Sequence, residues 1–235
     1  MLPLAAAQPL EGRPELLEGN ESKGDGPSFS EEGRNSFMTL TCSEESIPGV
    51  LLLEPVRFED DRGFFMEIYH QEKYREAGID RDFVQDNHTR SRRFTLRGLH
   101  YQLKHPQDKL VYVISGEIFD IAVDIRRGSP TFGRWTGIAL SARNARQLFI
   151  PRGFAHGFCV VSETADVMYK CTDFYAPGDE YGILWSDPQI HIKWPVQTPI
   201  LSEKDAHNLP LADVPQEHLP VYKDPVHRTL QSDNR

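Results

Sequence analysis

The stretch KLVYVISGEIFDIAVDIRRGSPTFG, residues 109–133, has the clearest β-strand pattern in this chain. Its first part is rich in β-branched and aromatic residues, and Gly116 marks a turn. After Gly116, apolar residues alternate with Asp120 and Asp124 until the turn residues RRGSP close the run. Because a β-strand places successive side chains on opposite faces, this alternation predicts a strand between the two turns.

Similar short β-rich runs lie on both sides of this stretch and are separated by turn residues. They are VLLLEPVRF (50–58), FTLRGLHYQL (94–103), WTGIAL (135–140), RQLFIP (146–151), HGFCVV (156–161) and VMYKCTDFY (167–175). Such spacing predicts an all-β sandwich or barrel. One short helix is predicted near residues 72–78, because the segment QEKYREAG ends at a glycine stop.

The 235 residues are enough for one domain with a sizeable core. Residues 1–46 are rich in Glu, Gly, Ser and Pro and lack a periodic apolar pattern, so we expect a disordered N-terminal extension. Within this extension, Met38 is a second candidate for the initiator methionine. Residues 47–214 form the predicted domain, and we expect residues 215–235 to be an irregular tail that lies on the domain or stays mobile.

Composition excludes several classes of protein. A net charge of −9 and a pI near 5.5 argue against a nucleic-acid-binding surface, which needs a concentrated basic face. Three cysteines, Cys42, Cys159 and Cys171, show no CxxC spacing, which indicates neither a disulfide framework nor a zinc site and suits a reducing compartment. No apolar run approaches a membrane span of ~20 residues, and the first residues lack the basic region of a secretory signal. We therefore expect a cytoplasmic protein without a membrane partner.

The segment RGLHYQ, residues 97–102, presents a histidine in a predicted strand. Residues of the same parity share one face of a strand, so His100 and Gln102 point the same way. An imidazole held inside a barrel is suited to proton transfer near neutral pH. The alternative is a hydrogen-bonded structural histidine, which the neighbouring Arg97 and Lys109 disfavour.

The segment IPRGFAHGF, residues 150–158, is similar to the second sequence motif of the cupins. In metal-binding cupins, a first motif with an HxH pair and a carboxylate joins the later histidine around one ion. Here the first motif contains His100 and Gln102, so one imidazole is missing and we expect no metal. His156 is then either a site residue or a structural one.

Two further segments carry groups for acid–base chemistry. In VMYKCTDFY, Tyr169 and Lys170 must face opposite ways along a strand. A phenol can deliver a proton where no water is wanted, although strand tyrosines are commonly packing residues. In LSEKD, residues 201–205, an acidic side chain could orient an imidazole; alternatively, the segment is a solvated charged run.

Taken together, seven ordered segments resemble the dTDP-4-dehydrorhamnose 3,5-epimerase family from about residue 47 to residue 214. They are FEDDRGFFMEIY, QDNHTRSRRFTLRGLHYQ, the 109–133 stretch, IPRGFAHGFCV, YKCTDFYAPGDEYGILWSDP, IKWP and LSEKD. The resemblance implies a homodimeric jelly-roll cupin that needs no cofactor. It also implies an epimerase that inverts carbons 3 and 5 of dTDP-4-keto-6-deoxyglucose to give dTDP-4-dehydro-L-rhamnose.

The resemblance further implies residue roles. His100 is the base and is paired with Asp205, Tyr169 is the proton donor on the opposite face, and Lys109 lies near the keto oxygen. Other residues match positions that line the substrate and nucleotide site: Arg62, Glu67, Gln85, Asn87, Arg97, His156 and Tyr175. Arg62 is expected to come from the partner subunit.

The residue types agree with this chemistry independently. Hydrogens on both carbons that flank a ketone are acidic because the charge delocalises to the oxygen, so one base can serve both carbons in turn. A cationic Lys109 aimed at that oxygen would stabilise the enolate, and inversion then needs a proton from the other face. The basic stretch at residues 90–97 supplies guanidinium groups for the diphosphate, and we expect at least Arg97 to touch it.

Three other functions remain open. A single-carbon epimerase or ketoisomerase for a related dTDP-ketosugar would use the same apparatus. A non-catalytic sugar-nucleotide-binding cupin does not require an acid and a base, so the presence of both disfavours it. A metal-dependent cupin oxygenase would need an ion. The expected partners are the substrate and a second copy of the chain.

Overall fold

The computed structural model describes residues 40–223, which form short β-strands and two short helices. The strands in chain order are β1 (Thr41–Glu44), β2 (Leu51–Glu54), β3 (Arg57–Asp60), β4 (Gly63–Met66), β5 (Gln85–Arg92), β6 (Leu96–Gln102), β7 (Lys109–Ser115), β8 (Glu117–Asp124), β9 (Trp135–Ser141), β10 (Gln147–Ile150), β11 (Phe154–Val160), β12 (Thr164–Cys171) and β13 (Glu180–Gly182). The helices are α1 (Gln71–Glu76) and α2 (Glu203–Ala206).

The strands form two main antiparallel sheets and a separate hairpin. The first sheet has the strand order β1-β2-β10-β7-β12-β5, the second has the order β13-β6-β11-β8-β9, and β3 pairs only with β4. The chain passes from the first sheet to the second at Gly116, between β7 and β8. Gly116 has φ = 80°, and a Cβ there would lie 2.1 Å from the carbonyl oxygen of Thr164, so the corner requires glycine. The predicted all-β jelly roll, with a few short helices, is confirmed.

Apolar side chains from both sheets form the main core. Val111 and Val167 of the first sheet share one buried cluster with Ile118 and Phe158 of the second. A second cluster covers the outer face of the second sheet, where residues 183–219 pack against it. Strand β6 is therefore enclosed on both sides, which fixes the side chains that it directs between the sheets.

Two predicted elements have different limits in the structure. The run VLLLEPVRF is divided at Pro55 into β2 and β3, because proline has no N–H to donate to a sheet ladder. The predicted helix is confirmed as α1, and Gly78, at φ = 95°, follows its end.

The ends of the predicted domain also differ. Strand β1 lies inside the range 1–46 that we expected to be disordered, so that expectation is wrong for its residues. The backbone of β1 pairs with β2, and Cys42 packs beside a cluster that contains Tyr74, which compensates for the polar composition. Residues 1–39, including Met38, and residues 224–235 lie outside the described residues.

The first part of the expected irregular tail is described. It contains a single 3₁₀ turn, Gln216–His218, followed by the buried Leu219. The backbone N–H of Arg127 donates to the carbonyl oxygen of Pro220, which ties this segment to the end of β8. Among residues 40–223, helices are all too short or too polar to cross a membrane.

Candidate active site

A cavity of about 430 Å³ lies between the two sheets. Its lining includes the side chains of Thr89, Arg97, His100, Lys109, His156, Tyr169, Glu180, Ser202, Lys204 and Asp205. A smaller cavity of about 110 Å³ shares four of these side chains and extends along Gln85, Asn87, Gln102 and Tyr175. The two cavities therefore form one continuous site, and nine of the residues that the family resemblance implies line it.

His100 and Asp205 form a hydrogen-bonded pair at one side of this site. The Nε2 atom of His100 lies 2.5 Å from Oδ1 of Asp205. Ser202 caps α2 by accepting a hydrogen bond of 3.1 Å from the backbone N–H of Asp205. Burial acts to raise the pKa of Asp205, but hydrogen bonds from His100, Ser202 and the backbone of Gly98 outweigh it and hold that pKa below its usual value.

An ionised carboxylate can only accept hydrogen bonds, which assigns the tautomer of the neutral His100 ring. Nε2 carries the hydrogen that is donated to Asp205, and Nδ1 keeps a free lone pair. Nδ1 is therefore the atom of His100 that can take a proton from a ligand.

Arg97 and His100 both line the cavity although their positions on β6 differ in parity. The alternation is broken at Gly98, which has φ = 123°, and the pairing between β6 and β11 shifts register there. A Cβ on Gly98 would lie 2.5 Å from the Cα of Gly157, so only glycine fits this position. Ser91 accepts a hydrogen bond of 3.0 Å from Nε of Arg97 and directs the guanidinium group.

Lys109 and Tyr169 approach from the first sheet, opposite His100 on the second. Burial lowers the pKa of Lys109, although nearby acidic groups oppose the shift. Burial raises the pKa of Tyr169, which keeps its phenol protonated near neutral pH. Lys170 points away from the site and pairs with Asp86 at 2.9 Å, which confirms the predicted opposite orientation of Tyr169 and Lys170.

His156 is buried and lies beside His100 in the pairing of β11 with β6. Its Nε2 atom is 3.0 Å from Oδ2 of Asp120. Burial lowers the pKa of His156 despite the opposing effect of Asp120, so the ring is neutral at neutral pH. The imidazole rings of His100 and His156 are thus each paired with a different carboxylate. In the described part of the chain, no group of three or more His, Cys, Asp or Glu side chains is suited to hold a metal ion. Independence from metals and other cofactors stays a prediction.

The smaller cavity is organised by Gln85. Its Oε1 atom accepts a hydrogen bond of 2.9 Å from the backbone N–H of Tyr175, and its Nε2 atom donates to Oδ1 of Asn87, also at 2.9 Å. The Tyr175 ring is exposed at the mouth of the site. These three residues therefore form one connected part of the wall of the smaller cavity.

Arg62 and Glu67 do not line these cavities. Arg62 lies in the turn of the β3–β4 hairpin, forms an ion pair with Asp60, and has a side chain that is 89% exposed. Glu67 follows the hairpin and pairs with Lys73 at 2.7 Å. Neither side chain reaches the two cavities described above.

Sequence reasoning missed Glu180, which lines both cavities. Its Oε1 atom lies 3.8 Å from Nδ1 of His100, and its other oxygen pairs with Lys204. The available signal was a carboxylate in the segment YAPGDEYG, close to Tyr175. Arg90, in contrast, pairs with Asp166 outside the cavity.

Comparison with known proteins places these features in one family. The sequence model of the dTDP-4-dehydrorhamnose 3,5-epimerase family matches residues 44–213. A curated dTDP-4-dehydrorhamnose 3,5-epimerase of Pseudomonas aeruginosa is 58% identical over 176 residues, which cover 74% of this chain and 97% of that protein.

Solved structures agree with the sequence matches. The 3,5-epimerase of Legionella pneumophila, crystallised with dTDP-4-keto-L-rhamnose, is 49% identical and superposes with a TM-score of 0.77, covering 79% of this chain and 100% of that one. A 3'-monoepimerase of Streptomyces bikiniensis with bound dTDP-quinovose is 33% identical with a TM-score of 0.72, covering 76% and 92%. The chain therefore belongs to the dTDP-4-dehydrorhamnose 3,5-epimerase family.

Proposed function

We propose that this chain is an isomerase, a 3,5-epimerase that converts dTDP-4-keto-6-deoxyglucose to dTDP-4-dehydro-L-rhamnose. The observation that carries the proposal is the placement of a base and an acid on opposite sheets of one cavity. His100, paired with Asp205, faces the site from the second sheet, and the protonated Tyr169 faces it from the first. A binding protein would need neither group.

In the first step, Nδ1 of His100 takes a hydrogen as a proton from a carbon next to the ketone. The electron pair of the broken C–H bond passes into an enolate, whose negative charge collects on the former keto oxygen. Lys109, half-buried in the wall of the cavity, supplies an ammonium group for that oxygen. Removing one such preorganised electrostatic group commonly lowers the rate by ~10²–10³.

In the second step, Tyr169 donates its phenolic proton to the other face of the same carbon. The carbon is thereby inverted, and the tyrosinate regains a proton from solvent. Repetition at the second carbon completes the double inversion without any net change in the oxidation state of the sugar.

Arg97 and the residues of the smaller cavity are proposed to hold the nucleotide and the sugar. A guanidinium group matches the geometry and charge of a diphosphate, and Ser91 already orients that of Arg97. Gln85, Asn87 and Tyr175 form a connected polar wall that would position the ligand. His156 is proposed to contact the substrate as a neutral ring.

We further propose that the enzyme is a homodimer in which the β3–β4 hairpin reaches the site of the partner subunit. The hairpin pairs with neither main sheet, and isolated two-stranded hairpins are only marginally stable in water. Phe64 and Phe65 on the hairpin are each 62% exposed, which is typical of a surface that another chain covers. This arrangement would deliver Arg62 and Glu67 to the partner's cavity.

A cytoplasmic location is also proposed. Cys42, Cys159 and Cys171 are all unpaired thiols, as expected of proteins in a reducing compartment.

A single-carbon epimerase is the second candidate, favoured by the likeness to the Streptomyces bikiniensis 3'-monoepimerase. Incubation of the purified protein with dTDP-4-keto-6-deoxyglucose in deuterated water, followed by NMR of the sugar, separates the candidates. Deuterium at carbons 3 and 5 together with double inversion supports the proposal. Deuterium at one carbon supports the monoepimerase, and an unlabelled sugar supports a binding protein.

A further inference from the structure

A base that inverts two carbons in turn must lose the first abstracted proton before it can take the second. This inference rests on the proposed function. After the first abstraction, the ring of His100 carries a hydrogen on both nitrogens and cannot act on the second carbon. Because Tyr169 supplies the incoming proton, the abstracted proton must leave His100 by a different route.

Two carboxylates lie near the ring of His100, and they differ in their access to solvent. Asp205 meets Nε2, but its side chain is only 4% exposed. Glu180 lies 3.8 Å from Nδ1, the atom that receives the substrate proton, and its side chain is 26% exposed. Of these two carboxylates, only Glu180 combines proximity to the correct nitrogen with contact with water.

We propose that Glu180 is a proton relay that returns the abstracted proton from His100 to solvent between the two inversions. The N–H bond at Nδ1 of His100 breaks, its electron pair stays on the nitrogen, and Oε1 of Glu180 gains the proton. Glu180 then gives this proton to water, and Tyr169 regains one from water. Each inversion thus exchanges one substrate hydrogen for one solvent hydrogen, and atoms and charges balance.

The surroundings of Glu180 suit such a relay. It lies on β13, the edge strand of the second sheet, and forms part of the wall of both cavities. Lys204 pairs with one of its oxygens, and the hydroxyl of Tyr175 lies 3.4 Å from the same oxygen. Burial acts to raise the pKa of Glu180, but Lys204, His100 and Tyr175 together hold it below the usual value. The carboxylate is therefore ionised before each transfer and releases the proton readily afterwards. We infer that the gap of 3.8 Å between Oε1 of Glu180 and Nδ1 of His100 narrows when the substrate binds, because catalytic hydrogen bonds commonly tighten when a ligand is present.

The test is a single-turnover experiment in deuterated water with enzyme in excess over dTDP-4-keto-6-deoxyglucose. Glu180→Gln preserves the size of the side chain and removes its ability to accept a proton. The first carbon should be labelled at a rate within about twofold of the wild type, whereas labelling of the second should be at least about tenfold slower. Unchanged binding of dTDP in calorimetry shows that the variant site is intact.

Two further variants separate the relay from a structural role. Lys204→Met breaks the same ion pair but keeps the Glu180 carboxylate, so labelling of the second carbon should be slowed far less than in Glu180→Gln. Glu76→Gln alters an exposed carboxylate on α1 and serves as the matched control. Equal slowing at both carbons in Glu180→Gln, or no slowing at either, would overturn the relay. If the wild type itself labels fewer than two carbons, the proposed function fails whatever the variants do.

Discussion

The Nε2 atom of His100 lies 2.5 Å from Oδ1 of Asp205 although 105 residues separate them in the chain. A backbone hydrogen bond of 3.0 Å from Leu96 to Ile200 holds the LSEKD segment against the start of β6. The Ser202 cap then fixes the position of Asp205 within α2. The orientation of the base therefore depends on contacts made by a segment that follows the last strand of the second sheet.

Asp205→Asn tests that orientation. The amide can no longer stabilise the protonated ring of His100, so kcat should fall by ~10²–10⁴ while dTDP affinity is retained, because Asp205 is not proposed to hold the diphosphate. Steady-state kinetics and calorimetry measure the two quantities. Asp213→Asn, an exposed acid outside the cavities, is the matched control. A loss of dTDP affinity as large as the loss of rate would assign Asp205 to binding instead.

Deprotonation of Lys109 should produce the alkaline limb of the pH–rate profile, in which kcat falls as pH rises. Only the charged ammonium stabilises the enolate, so kcat should fall as pH rises through the pKa of Lys109, which burial lowers. The limb should therefore begin at a lower pH than the pKa of an exposed lysine would give. Lys109→Arg should move the limb to higher pH, because guanidinium groups stay protonated. An alkaline limb at the same pH in both proteins would mean that a different group titrates.

Asp124 predicts a pH-dependent contribution to stability. It is buried and accepts hydrogen bonds from Arg126, Ser129 and Thr131. Burial acts to raise the pKa of Asp124, but these bonds lower it below the usual value. Because the folded pKa is the lower one, the stabilisation is present above the unfolded pKa and is lost as pH falls through the folded pKa.

Asp124→Asn should therefore lower the free energy of unfolding by about 3–5 kcal/mol at pH 7, since the substitution leaves Arg126 without its buried partner. Urea titrations should show that this difference shrinks below the unfolded pKa. Asp86→Asn, which removes an exposed partner of Lys170, should have a much smaller effect at either pH. An Asp124→Asn difference that is the same at acidic and neutral pH would contradict the electrostatic account.

The sequence predicted β2, β3 and β6 to β12, and it predicted that Tyr169 and Lys170 face opposite ways, because a period of two is a local property of the chain. The strand period alone puts Arg97 and His100 on opposite faces of β6, and only the family resemblance implied that both line the site. Their shared cavity depends on the close approach of Gly98 to Gly157. The sequence did not identify Glu180 as a site residue for a similar reason. Glu180 reaches the site because β13 pairs with β6, and pairing between strands 80 residues apart leaves no local signal in the sequence.

The amino-acid composition also gave a wrong prediction at the N-terminal boundary of the domain. Thr41–Glu44 looks like part of a polar extension, yet its pairing with β2 satisfies the backbone and places it at the edge of the first sheet. Disorder is inferred from averages over many residues, whereas a short edge strand is stabilised by a few contacts with residues elsewhere.

A shared site predicts complementation between two inactive variants. Arg62→Ala should remove a group supplied to the partner, and His100→Asn should remove the base. In a co-expressed heterodimer, one of the two sites should contain both intact residues, so activity should return to about half that of the wild type per dimer. Purification through two different affinity tags isolates this species. A heterodimer as inactive as both parents would show that Arg62 does not act across the interface.

Tyr169→Phe tests the central claim, which is that acid and base act from opposite faces. The substitution keeps the ring and its packing but removes the phenolic proton. Deprotonation needs only His100 and the stabilised enolate, so NMR in deuterated water should still show exchange of substrate hydrogen by the variant, while inversion falls much further than exchange. If Tyr169 is only a packing residue, both rates should instead decline together. Equal loss of exchange and inversion would therefore contradict the account and leave Tyr175 or water as the proton donor.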